Sequence, residues 1–158
     1  MRATRHPLCT ALMLRDLHDV PVDTELVERL ARSFRRLLPK ATRFMDRVYA
    51  SLFAGHPELR SMFPSDLGEQ QAKLLATLNL VVEQLASPEA LLPQLHELGR
   101  YHADLGVRPA HYPLIVTAIV QAMADVAGPD WTPELDAEWR DALTRLGDIM
   151  LEGALDHE

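Results

Sequence analysis

From Asp23 onward the apolar residues recur with the period of an α-helix, and no run alternates with the period of two that marks a strand. Leu26, Leu30, Phe34 and Leu37 or Leu38 share one side of a helix over Thr24 to Leu38, with Asp23 or Thr24 as its cap. Pro39 opens a second helix that reaches about Gly55. Its apolar positions are Phe44, Met45, Val48, Leu52 and Phe53, and Tyr49 lies on the Met45 and Phe53 face. Between Pro57 and Pro64 a brief corner carries Leu59, Met62 and Phe63. A third long helix begins near Glu69 and repeats Leu74, Leu78, Val81 and Leu85, and Gln70 extends that stripe backward by one turn. Ser87 is placed to cap, and Pro88 to start, a helix that ends near His102. The next helix runs from about Pro109 to Ala127 on Tyr112, Ile115, Ile119, Met123 and Val126, and Gly128-Pro129 ends it. Thr132 caps the last, with Leu135, Trp139, Leu143, Leu146 and Met150 inward. The pattern predicts an all-α chain whose helices are too uneven in length for a simple up-down bundle.

One stripe ends on a base. Leu91, Leu95, Leu98 and His102 stand at i, i+4, i+7 and i+11, one face of a helix that Gly106 and Pro109 then stop. An unpaired polar group on a core face is costly, so the imidazole needs a proton acceptor or a metal. Two readings are open. One is a core histidine bonded to a backbone carbonyl; the other is an axial haem ligand whose second ring nitrogen is held by such a carbonyl. His96, about 240° round the same helix, is expected in solvent beside Arg100. His56 and His111 sit at helix boundaries, and His6, His18 and His157 lie near the termini.

Length and charge narrow the function. A chain of 158 residues suits one domain, read as a tail or short extra helix over 1–22 followed by a helical domain over 23–158. Sixteen Lys and Arg against 23 Asp and Glu leave a formal charge of -7, which argues against a nucleic-acid partner. The single cysteine, Cys9, cannot form an internal disulfide and fits a cytoplasmic setting. The apolar run from Leu8 to Leu14 ends in Arg15 and Asp16, where a signal cleavage site would want small residues, and no segment is expected to reach membrane-spanning length. His-Glu-x-x-His pairs, a glycine-rich phosphate loop and a Gly-x-Ser-x-Gly elbow are all missing, so hydrolase and kinase chemistry lose their usual signals.

Several short motifs then combine. Tyr49 with Leu52-Phe53, His56-Pro57-Glu58-Leu59-Arg60 with Phe63, Glu69-Gln70 with Leu74, Leu92-Pro93, Leu98, His102, Gly106-Val107 and His111-Tyr112-Pro113 follow in order. Together they resemble the bacterial single-domain haemoglobins and the haem domain of flavohaemoglobins, over roughly Thr24 to Gly153. The resemblance implies a globin fold in its three-on-three form, since a full helix precedes His102, and it makes 23–158 a globin domain. It implies haem b, iron protoporphyrin IX, with His102 as the axial ligand to the iron and Phe63 flat on the porphyrin. Tyr49 and Gln70 become the distal pair, a phenol and an amide that can both donate to bound O2. Leu74, Leu78, Leu98, Val107, Ile115 and Met150 become the walls of the pocket. Tyr112 supports His102 from the proximal side. In the family that tyrosine also joins a glutamate on the last helix, and here the matching position is Ala154. Glu152 lies about 200° away round the helix, so a strongly activated proximal ligand and peroxidase-like chemistry are not expected.

The implied function is reversible binding of O2 and of other diatomic gases, NO and CO included, with NO dioxygenation as a further activity when ferrous iron is regenerated. Flavohaemoglobins reduce their haem through an attached flavin and nicotinamide domain, for which this length leaves no room, so a separate reductase is the expected electron donor. Two other readings stand beside it. A haem-based gas or redox sensor acting through a partner has no effector domain to support it, and a haem-free globin-like regulatory module leaves His102, Tyr49 and Gln70 unexplained. The protein is expected in the cytoplasm as a monomer or homodimer, without nucleic-acid or membrane partners.

Overall fold

The computed structural model describes residues 23–156; the tail read at 1–22, and His157, lie outside them. Asp23 caps the first helix, α1 (Thr24–Leu37), and its carboxylate accepts from the N–H groups of Glu25 and Leu26. Leu38–Lys40 then tightens into a 3-10 turn around Pro39, so α2 (Ala41–Gly55) starts two residues later than the proline alone implied. The corner Pro57–Met62 is also 3-10. Arg60 holds it, donating to the carbonyls of Phe63, Pro64 and Ser65. Next come α3 (Gly68–Gln84), α4 (Leu91–Asp104), α5 (Tyr112–Ala127) and α6 (Pro133–Leu155). The Thr132 hydroxyl caps α6 by accepting from the Leu135 N–H, as the sequence predicts.

Two expected helix starts differ. Pro88–Ala90 and Pro109–His111 are 3-10 turns, and α4 and α5 begin only at Leu91 and Tyr112. Ser87 makes no side-chain cap. Each turn closes from residue i to i+3, Ala90 onto Ser87 and His111 onto Arg108. The chain therefore bends before the α-helical ladder starts.

Helix α5 packs between α2 and α6, α4 lies along α6, and α1 closes the arrangement against α3 and α6. Trp139, Phe34, Phe44, Leu37, Met123, Val48 and Val120 form the dry centre. At its edge the Trp139 indole N–H donates to the Ser33 hydroxyl at 2.9 Å. Against expectation, one stretch, Pro109–Asp130, is 22 residues long and apolar enough by composition to cross a membrane. Its apolarity serves the core, because α5 buries Ala118, Ile119, Val120, Ala122, Met123 and Val126 between its two neighbours.

The tightest contact is that of α4 with α6. A methyl group at Gly99 would run into the backbone carbonyl of Met150, and one at Gly153 into the backbone of His96. The backbones touch at both ends of this contact, which only residues without a Cβ allow. Gly99→Ala should therefore destabilise the protein. Alanine gains about 1 kcal/mol in helix propensity, but overpacking a closed contact costs about 1–3 kcal/mol or more. Gly55→Ala, where a methyl group meets nothing within 4 Å, should be neutral or stabilising. Urea unfolding of both variants checks this, and equal stability of Gly99→Ala and wild type would contradict the close contact.

Candidate functional site

On one side of the site, α4 carries His102 in its last turn, half-buried. Its Nδ1 lies 2.7 Å from the Leu98 carbonyl oxygen one turn back. A carbonyl only accepts, so Nδ1 holds the proton and Nε2 keeps its lone pair. Tyr101 stands edge-on to the imidazole at 6.2 Å, and Tyr112 lies across from it at 6.4 Å between ring centres. Gly147 of α6 makes room for the Tyr112 ring, since a methyl group there would sit 3.1 Å from Cδ1. Burial pushes the Tyr112 phenol up, and no carboxylate counters it. Among the described residues no hydrogen bond joins Tyr112 to Glu152.

A second group begins on α2, which presents Tyr49, 3% exposed, and continues to the first turn of α3, which presents Gln70. The two side chains share a hydrogen bond. Burial raises the Tyr49 phenol above its ordinary range, and the bond to Gln70 only partly offsets it, so Tyr49 is neutral and able to donate near pH 7. Phe53 and Phe63 complete the cluster, with ring centres 6.0 and 5.7 Å from Tyr49 and 5.3 Å from each other. The Arg60 guanidinium covers the Phe53 ring at 5.2 Å. The neighbouring glutamines part company: Gln70 reaches Tyr49, while Gln71 turns out to Asp46 at 3.0 Å.

Sequence reasoning thus finds two groups that the fold assembles, Tyr49 with Gln70 and Phe63, and His102 with Leu98 and Tyr112. The first group stands on α2, the corner and α3, and the second on α4 and the start of α5; α3 and α4 themselves have no extended contact. Leu74 and Leu78 follow Gln70 along α3, the first partly buried and the second 5% exposed. Ile115 is partly buried on α5, and Leu98, Val107 and Met150 are half-buried. Among the described residues no group of three or more His, Cys, Asp and Glu is placed to hold a metal ion. The His102 Nε2 is left without a protein hydrogen-bond partner among the described residues.

Other features were not foreseen. His96 is not in solvent: its Nε2 is buried without a hydrogen-bond partner, because the glycine contact brings α6 over that face of α4. Glycines inside two helical patterns were the available signal. His111 serves its turn, its Nδ1 accepting from the Arg108 N–H at 3.0 Å. A cleft of about 220 Å³ lies between α1 and α6, and a groove of about 80 Å³ lies beside the start of α4; neither is lined by His102, Tyr49 or Gln70.

Comparison with known proteins points the same way. A family model described as Globin matches residues 46–150. A flavohemoprotein of Rhizobium meliloti is 32% identical over 109 residues, 67% of this chain and 27% of its own length. One from Deinococcus radiodurans is 35% identical over 106 residues, covering 65% of this chain and 26% of the relative. This chain spans about a quarter of the length of these two curated relatives. Among solved structures, an engineered carbene transferase from Rhodothermus marinus, whose parent is provisionally assigned as a nitric oxide dioxygenase, superposes with a TM-score of 0.75. It is 25% identical, over 85% of this chain and 94% of that one. A bacterial globin from Campylobacter jejuni superposes with a TM-score of 0.68 at 18% identity, over 82% and 96% of the two chains.

The state of Tyr49 has a measurable consequence. Its phenol binds its proton more tightly folded than unfolded, so the stability this lends is complete below the ordinary tyrosine range near about 10 and is lost as pH rises through the folded value. Denaturant unfolding should therefore show stability falling in alkali, and Tyr49→Phe should flatten that fall. An unchanged slope would mean that the phenol is solvated.

Proposed function

Because this chain belongs to the globin family, we propose that its helical domain holds haem b and reversibly binds O2, NO and CO in the space between Tyr49 and His102. The observation that carries the reading is the His102 bond to the Leu98 carbonyl, which leaves Nε2 as the ring nitrogen free to ligate. Haem, when bound, would supply an iron able to take a diatomic gas.

The chain's own residues do the rest. Leu98 fixes the tautomer and tilt of His102 through one backbone acceptor. Neutral Tyr49 and Gln70 aim donors where a gas acquires negative charge, and their mutual bond keeps both near that place beforehand. Phe63 offers a flat face beside them. Leu74, Leu78, Val107, Ile115 and Met150 keep water off. With no carboxylate on the Tyr112 hydroxyl, His102 acts as a neutral imidazole, which favours holding a gas over cleaving an O–O bond. NO dioxygenation in the cytoplasm, with electrons from a separate reductase, is part of the proposal, and the likeness to the Rhodothermus marinus protein, whose parent carries a nitric oxide dioxygenase assignment, supports its NO chemistry.

An absorption spectrum of the purified chain supplied with haem, taken oxidised, reduced and under CO, tests the cofactor. Distinct bands in all three states are expected, and a featureless visible region would end the reading. His102→Ala should lose tight haem binding, with imidazole partly restoring it, while His96→Ala should keep it; the reverse outcome would move the ligand.

The distal pair makes a separate prediction. Losing one hydrogen bond to a charged acceptor costs about 1.5–3 kcal/mol, or roughly tenfold and upward in rate. Tyr49→Phe should speed O2 release by that factor and change CO release much less. Equal effects on both gases in flash photolysis would point to sterics.

A further inference from the structure

The cleft between α1 and α6 includes neither His102 nor Tyr49, and its lining sorts into three kinds of surface. The apolar part is Leu37, Val126, Trp131 and Leu135, the first two buried and the others half-buried. The neutral polar groups are already engaged by the fold. The Ser33 hydroxyl donates to the Leu30 carbonyl and accepts from Trp139, and the Thr132 hydroxyl oxygen accepts from the Leu135 N–H. The Trp131 indole N–H donates to Asp136, which lies outside the lining, so its ring is left to offer apolar surface.

The charged groups divide differently. Arg29 is paired with Glu138 of α6 at 2.7 Å, and Arg32 reaches Glu28 at 3.7 Å. That leaves Arg36 and Lys40, from the end of α1 and the turn after it, and Asp130 and Glu134, from the turn before α6 and its first turn. Among the described residues none of these four forms an ion pair or a side-chain hydrogen bond, although two cations and two carboxylates line the same cleft. A simple anion bound there would face the two carboxylates, and a simple cation would face Arg36 and Lys40; like charges brought together weaken binding. A molecule that carries both charges meets a partner on each wall. At about 220 Å³ the cleft holds the volume of about seven liquid waters. That is below the roughly 300–1,000 Å³ of pockets for drug-sized ligands, so it suits a molecule the size of an amino acid and is too small for a nucleotide.

We propose that this cleft binds a small zwitterion with an apolar body, of the class of the free aliphatic amino acids. Arg36 and Lys40 take its carboxylate, the guanidinium through its planar fork. Asp130 and Glu134 take its ammonium, and its side chain rests on Leu37, Val126, Trp131 and Leu135. The Arg29 pair with Glu138 already joins a cation of α1 to a carboxylate of α6, and the ligand extends that join along the same cleft. Neither His102 nor Tyr49 takes part, so the site is independent of the haem reading.

Titration of the isotope-labelled, full-length protein at low salt tests this with three probes that differ by one charged group. They are leucine, isocaproate, which lacks the ammonium, and isoamylamine, which lacks the carboxylate. Leucine should shift the Trp131 indole signal and the Val126 and Leu135 amides saturably, and leave in place that of Gly99, which packs on Met150 farther along α6. It should bind about tenfold tighter than either analogue, the worth of one hydrogen bond to a charged group. Lys40→Gln should weaken leucine and isocaproate about tenfold and spare isoamylamine. Glu134→Gln should weaken leucine and isoamylamine and spare isocaproate. Both side chains are exposed, and an unchanged melting transition checks that the variants keep the fold. Equal affinity for leucine and isocaproate would overturn the proposal, since the carboxylates would then take no part. So would the absence of a saturable shift with leucine, or a leucine affinity that neither substitution moves.

Discussion

The backbone contact between α4 and α6 is the constraint on which the remaining geometry rests. Gly99 against Met150 and Gly153 against His96 fix the two helices face to face within about one turn. Once α4 is held in this way, the Leu98 carbonyl and the His102 ring above it have one position. Gly147, farther along the same helix, seats Tyr112 and so places the next wall of the site. Three glycines that each weaken a helix in isolation are here the means by which one helix aligns another. The buried Nε2 of His96 is a by-product of that closeness. A polar atom without a partner is tolerated where the neighbouring backbone contact is strong enough to cover it.

Much of this was legible in one dimension. The period of the leucines places His102 on the inner face, and the structure adds the acceptor at Leu98 that such a histidine requires. Gln70 continues the Leu74 and Leu78 stripe, and it does turn inward to Tyr49. Gln71 shows how fine the distinction is: one residue, about 100° round the helix, separates a partner of Tyr49 from a partner of Asp46. What periodicity could not supply depends on distances between helices. Proline marks a change of direction at residues 88 and 109 but not whether the first turn is α or 3-10, which is settled by how the chain must bend into its neighbour. His96 was misplaced because a face that is polar in sequence can still be covered when the facing helix carries glycine. The apolar length of α5 likewise reads as a span until its two neighbours are known.

The two sides of the site are built by different physics. The His102 side is a backbone device: a carbonyl, a glycine contact and a ring resting on another glycine. The Tyr49 side is made of side chains, an aromatic trio that includes one phenol, and one amide. Backbone devices tolerate little change, since their partners cannot repack. Side-chain clusters can be rebuilt by volume-conserving exchange. For the gas site proposed above, variation in ligand preference would therefore be more readily accommodated on the Tyr49 side than on the His102 side.

The corner at Pro57–Met62 carries one more implication. Arg60 satisfies the carbonyls of Phe63, Pro64 and Ser65 with a single guanidinium and lays the same plane over Phe53. The corner is thereby closed by its own residues and borrows nothing from α3. A planar fork does this and an ammonium does not, so lysine is no substitute. Beyond Ser65, the link to α3 is free to differ in length without moving Phe63, and it is there that an inserted loop could change what reaches the Tyr49, Phe53 and Phe63 cluster while leaving its rings in register.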